Sequence, residues 1–147
     1  MDDLEAMLEL KAQGFVCSQI IIKMGLDLLG KENTDLVRAV HGLAGGLGYT
    51  GDVCGILTAA ACLLGMYAGK GKPEDEDDPR LIFMVEDLVK WFKQEYGEPN
   101  GGIRCVDIVH DDGSRMASIC PQMMGATYQK VKELLVNNGF DLSWNEK

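Results

Sequence analysis

Apolar residues recur at intervals of three and four along nearly the whole chain, a spacing that suits helices and leaves little room for strands. Leu4, Met7, Leu8 and Leu10 to Ala12 form a first set, which Gly14 stops. Phe15 to Leu29 carries Ile20, Ile21, Ile22, Met24, Leu26 and Leu28, with Gly30 where a helix end favours glycine. Asn33-Thr34-Asp35 is a start signal for a short helix through Leu36, Val37, Val40 and Leu43. The segment from Gly42 to Gly51 is glycine-rich and predicts a loop. After it, Val53 to Leu64 predicts a central helix buried on most sides and capped by Asp52. Lys70 to Arg80 is a charged connector, and Leu81 to Tyr96 is the clearest amphipathic helix. Ile103 to Val109 fits a short helix or a strand equally well. His110 to Ser114 predicts a turn, and Ile119-Cys120-Pro121 opens a last helix, with Pro121 in a first turn where its missing N–H costs nothing. The expected fold is all-α: one helical bundle of about six helices, a single domain over residues 1–147, with a glycine-rich loop before the central helix.

A chain of 147 residues with 46% hydrophobic side chains can build a core without disulfide or metal staples. Its formal charge of −9 and the absence of any basic cluster argue against nucleic acid and anionic membrane surfaces, which are bound through Lys and Arg. The longest uncharged apolar run, Val53 to Gly69, is shorter than the roughly 18 residues of a membrane span, so no membrane insertion is expected. The acidic start Met1-Asp2-Asp3-Leu4-Glu5 is unlike a secretory signal, and the expected location is the cytoplasm.

In that compartment thiols stay reduced, which makes five cysteines an unusual investment, and an odd count fits a disulfide framework poorly. Cys17, Cys54 and Cys120 each fall at a predicted helix start, where unpaired N–H groups and the positive dipole end favour thiolate over thiol. That effect is about 0.3 to 1 kcal/mol, under one pKa unit, and the net negative charge opposes gathering more anions. A metal or iron–sulfur centre would offset the charge, and oxidation to disulfides would remove it. Cys62 lies eight residues after Cys54, about 80° around the helix and roughly 12 Å along it, so it reads as a buried small hydrophobe outside any shared site.

Local spacing does not choose the chemistry. No C-x-x-C, ferredoxin-type or haem-attachment run occurs. Gly46-Leu47-Gly48-Tyr49-Thr50-Gly51 matches the dinucleotide fingerprint, but a helix precedes it where that fingerprint needs a strand. The glycines are better read as permitting a tight bend that brings the next helix start close to other elements. His41 and His110 are further candidate ligands that fit ordinary hydrogen-bonded histidines more readily, and the eight methionines read as core gap fillers.

The order Phe15-x-Cys17-Ser18-Gln19, then Gly45-Gly46-x-Gly48-x-x-Gly51-x-x-Cys54-Gly55, then Cys105, then Cys120 resembles the C_GCAxxG_C_C family of redox-active proteins, named for its cysteine pattern. The resemblance implies four key cysteines, Cys17, Cys54, Cys105 and Cys120, serving as catalytic, cofactor-binding or metal-ligating residues, with Cys62 outside the pattern. Where the family has a small residue and then a glycine after Cys-Gly, this chain has Ile56 and Ala59. The expected function is a single redox-active centre, foremost an iron–sulfur or other metal site for electron transfer or sensing. The alternative is a metal-free thiol–disulfide oxidoreductase in which Cys54 attacks and a neighbour resolves. A structural domain with ordinary buried thiols is the third reading. The expected partners are a redox protein or a small thiol, and the glycine- and alanine-rich helices are also suited to pairing as a homodimer.

Overall fold

The computed structural model describes residues 1–143, so residues 144–147 of the expected domain lie outside the described residues. Seven helices carry the fold: α1 (Asp3–Ala12), α2 (Cys17–Leu29), α3 (Thr34–Ala39), α4 (Gly55–Ala68), α5 (Arg80–Phe92), α6 (Cys105–Val109) and α7 (Gly113–Asn137). The all-α class is as the spacing predicts. Among the described residues the extended pairing consists of one isolated antiparallel bridge, Val53 to Arg104.

Several helix ends follow local chemistry. Asp2 and Glu5 form a reciprocal capping box at α1, with the Glu5 N–H donating to Asp2 Oδ1 at 2.8 Å. Asn33 Oδ1 accepts the Leu36 N–H at 3.0 Å and starts α3. Gly30 closes α2 in the left-handed region at φ 65°.

The central helix α4 packs against α2, α5 and α7, and its Ile56, Leu57, Ala59, Ala60, Leu63 and Leu64 are buried. The approach of α2 is close enough that a methyl group on Gly25 would stand 2.2 Å from Leu63 Cδ1. With Ile20, Ile21 and Ile22 from α2, Leu88 and Phe92 from α5, and Tyr128, Val131 and Leu135 from α7, these residues form one continuous hydrophobic cluster.

Four expectations are corrected. The last helix starts at Gly113, before Ile119, because Asp112 accepts the Ser114 and Arg115 N–H groups at 2.9 and 3.3 Å. Pro121 therefore lies inside α7, where it deprives the Ala117 carbonyl of its helical donor. Cys120 is accordingly mid-helix, and Cys105 takes the position at a helix start. The glycine-rich segment is more than a plain loop: a 3₁₀ turn over Val40–Leu43 runs into a tight turn over Ala44–Leu47 in which Gly45 and Gly46 both have positive φ. Asp52 does not cap α4. Its carboxylate takes the adjacent Val53 N–H at 2.8 Å, and Cys54 itself is the residue before the first helical turn. Cys62 is exposed, and among the described residues a Cβ on Gly65, three positions further along α4, would likewise meet open space.

Candidate redox-active cysteine site

Each of the four pattern cysteines comes from a different element. Cys17 is the first residue of α2, and the two residues after it anchor that helix end. Ser18 Oγ donates to the Val40 carbonyl at 2.8 Å and Gln19 Nε2 to the Val37 carbonyl at 3.2 Å, both within the protein interior. The Cys-Ser-Gln run is thus one sulfur followed by two polar pins that fix α2 against the turn leading into the glycine-rich segment. Sequence reasoning gave Ser18 and Gln19 no role. The available signal was a polar pair followed directly by three isoleucines, Ile20 to Ile22.

The glycine-rich turn then delivers Cys54. The Asp52 N–H donates to the Gly46 carbonyl at 3.0 Å, and Gly46, at φ 72°, lies so close that an added Cβ would stand 2.2 Å from the Asp52 carbonyl oxygen. The backbone of Asp52 and Cys54 pairs in turn with the approach to α6. Cys54 N–H donates to the Ile103 carbonyl at 3.0 Å, and Cys105 N–H to the Asp52 carbonyl at 2.6 Å. This pairing sets Cys54 and Cys105 on the same side of the bridge as diagonal neighbours. The start of α6 is held by Asp107, whose carboxylate accepts the Arg104 N–H at 3.2 Å. Cys120 joins from the middle of α7.

All four line one cavity of about 240 Å³. Its remaining walls are mostly apolar, with Phe15, Ile20, Ile108, Met123 and Met124, and its lining contains no carboxylate or imidazole. His41 and His110 are absent from it, and Cys62 lies elsewhere. All five cysteines are free thiols. Among the described residues no group of three or more His, Cys, Asp or Glu side chains is arranged to hold a metal ion.

Burial governs the protonation of these thiols. Cys54 is 6% exposed, and desolvation pushes its pKa from the ordinary 9.0 up to about 12, although the Ile56 and Leu57 backbone amides pull the other way. Desolvation likewise raises Cys120 to about 11, with Cys17 and Cys105 adding repulsion. Cys17 is raised by burial against the opposing pull of the Gly45 and Ser18 amides. Cys105 is raised by burial and then by Asp111. The thiolates expected from helix starts are therefore not formed near neutral pH in the metal-free protein. A dipole contribution below one pKa unit loses to the removal of water.

The family model described as "Putative redox-active protein (C_GCAxxG_C_C)" matches residues 15–134, a span that includes all four cavity cysteines. No curated protein and no solved structure matches the chain.

Proposed function

Because the chain belongs to the C_GCAxxG_C_C family of redox-active proteins, we propose that Cys17, Cys54, Cys105 and Cys120 form its single redox centre, foremost as the ligands of an iron–sulfur cluster serving electron transfer or sensing. The observation that carries this reading is the meeting of four cysteines from four elements in one cavity whose lining contains no carboxylate or imidazole. Such an all-thiol set matches the ligands of an iron–sulfur cluster. A bound cluster would supply a one-electron couple and the positive charge that lets four sulfurs ionise together. The protein's own part is to bring the four sulfurs together from separate elements and to set them among mostly apolar walls, a setting that tunes the potential of such a centre.

A second reading, dithiol–disulfide chemistry, is supported by the same grouping of cysteines and by the finding that, among the described residues, no group of three or more His, Cys, Asp or Glu is arranged to hold a metal ion. There two cysteine thiols are oxidised to a disulfide while a disulfide of the partner is reduced to two thiols, the two protons passing with the electrons.

Anaerobically purified protein should be coloured, with iron and acid-labile sulfide present together, and each of Cys17→Ser, Cys54→Ser, Cys105→Ser and Cys120→Ser should abolish or strongly reduce the colour. Cys62→Ser should leave it intact, since Cys62 is outside the cavity. Colourless, iron-free protein whose thiol titre falls by two or four on mild oxidation would instead favour the dithiol reading. If neither colour nor thiol loss appears, both readings fail.

A further inference from the structure

The four cysteines are not equivalent in their access to solvent. Beside the apolar cavity lies a second, polar cleft of about 470 Å³, a volume in the range of sites that admit small molecules or a reaching side chain. Of the four cysteines only Cys105 lines both spaces. Tyr49 and Met116, which are 65% and 38% exposed, also border both and form the frame between them. The cleft is also lined by Asp52, whose carbonyl accepts the Cys105 N–H, and by Asp111, and the cleft's cation, Arg104, is already paired with Asp107 at 3.0 Å.

We propose that Cys105 is the port of the centre: the cysteine through which it exchanges electrons with the outside, directly or by thiol–disulfide exchange, by way of a cleft that disfavours anionic reactants. This rests on the four-cysteine centre proposed above and assigns unequal roles within it. In the cluster reading Cys105 is the ligand nearest a docked redox partner. In the dithiol reading Cys105, and not Cys54, attacks a partner disulfide. It forms a mixed disulfide and releases one partner thiol. Cys17 or Cys120, each near enough for its charge to act on Cys105 or to be acted on by it, then displaces the second thiol and closes an internal disulfide. Cys54 is the poorer entrance, being buried where the other three are partly exposed.

The test uses reduced, metal-free protein carrying Cys62→Ser, so that the exposed cysteine does not mask the result. Two methanethiosulfonate reagents of similar size are compared, one bearing a trimethylammonium and one a sulfonate, with the modified residue located by peptide mass. Cys105 should be labelled first, about tenfold faster than Cys17, Cys54 or Cys120. At low salt the cationic reagent should react severalfold faster than the anionic one, and the two rates should converge near 0.5 M salt. Asp52→Asn combined with Asp111→Asn should remove most of that preference. Tyr49→Gly, which also relieves a φ of 65°, should speed labelling of the second cysteine by opening the frame. First labelling at any other cavity cysteine, or a preference for the sulfonate reagent, would overturn the proposal. Because labelling needs no redox activity, a protein that labels first at Cys105 but shows neither cluster nor disulfide chemistry retains the port and loses the function.

Discussion

Gly46→Ala should destabilise the protein by roughly 3 kcal/mol or more, seen as a fall in the urea midpoint and melting temperature. Two costs combine there. The backbone at φ 72° is strained for any residue with a Cβ, and that Cβ would meet the Asp52 carbonyl oxygen at 2.2 Å and its nitrogen at 2.5 Å. Backbone cannot rotate away as a flexible side chain can, so the turn must open. Opening it releases the Asp52 N–H from the Gly46 carbonyl and loosens the pairing that presents Cys54 beside Cys105. The matched control is Gly48→Ala. Gly48 has nearly the same φ, 68°, but faces open space, so that variant should cost only the strain, about 1 to 2 kcal/mol. Equal losses for the two variants would show that close approach at Gly46 contributes nothing. The Gly46 variant should also expose the cavity thiols to alkylation at neutral pH.

Reduced, metal-free protein should also lose stability as pH rises from about 9 toward 12. The folded-state pKa of Cys54 is raised from 9.0 to about 12, so the unfolded chain gives up its thiol proton first. The contribution is intact below the unfolded value and is lost progressively as pH climbs toward the folded one. For a single such group the slope approaches 1.4 kcal/mol per pH unit, an order-of-magnitude figure. Cys120, raised to about 11, acts with the same sign over a narrower window, and its partial exposure reduces its share. Tyr67, raised to about 12, and Tyr128, raised by burial, act in the same direction and are untouched by cysteine substitution. The informative measurement is therefore the slope of stability against pH in wild type and in Cys54→Ala, which should be flatter. Identical slopes would mean that the Cys54 thiol ionises in the folded protein as readily as in the unfolded chain.

The parts of this fold legible in the sequence were those written in local chemistry. Three- and four-residue spacing marked the helices, Asn33 announced α3, and Gly30 ended α2. Competing local signals misled at α7. Pro121 suits a first turn, but Asp112 supplies a side-chain acceptor eight residues before Cys120, and the helix follows the cap. The exposure of Cys62 was not legible, because which face of an apolar helix stays uncovered depends on where its neighbours pack. The grouping of the cysteines depends on hydrogen bonds between residues 51–54 and 103–106, far apart in sequence and without a local signature. Family likeness could name the four residues, whereas the inequality between Cys105 and Cys54 needs the two adjoining cavities to be seen.

The pairing of Cys54 N–H with Ile103 and of Cys105 N–H with Asp52 has a consequence for biosynthesis. Contacts between such distant segments form after the local helices, since a long loop must close before they are rewarded. A ribosome-bound chain thus lacks the pairing that sets Cys54 beside Cys105 until residues 103–106 have emerged. Any cofactor loading or oxidation that requires the complete quartet is deferred until Cys120 has also emerged.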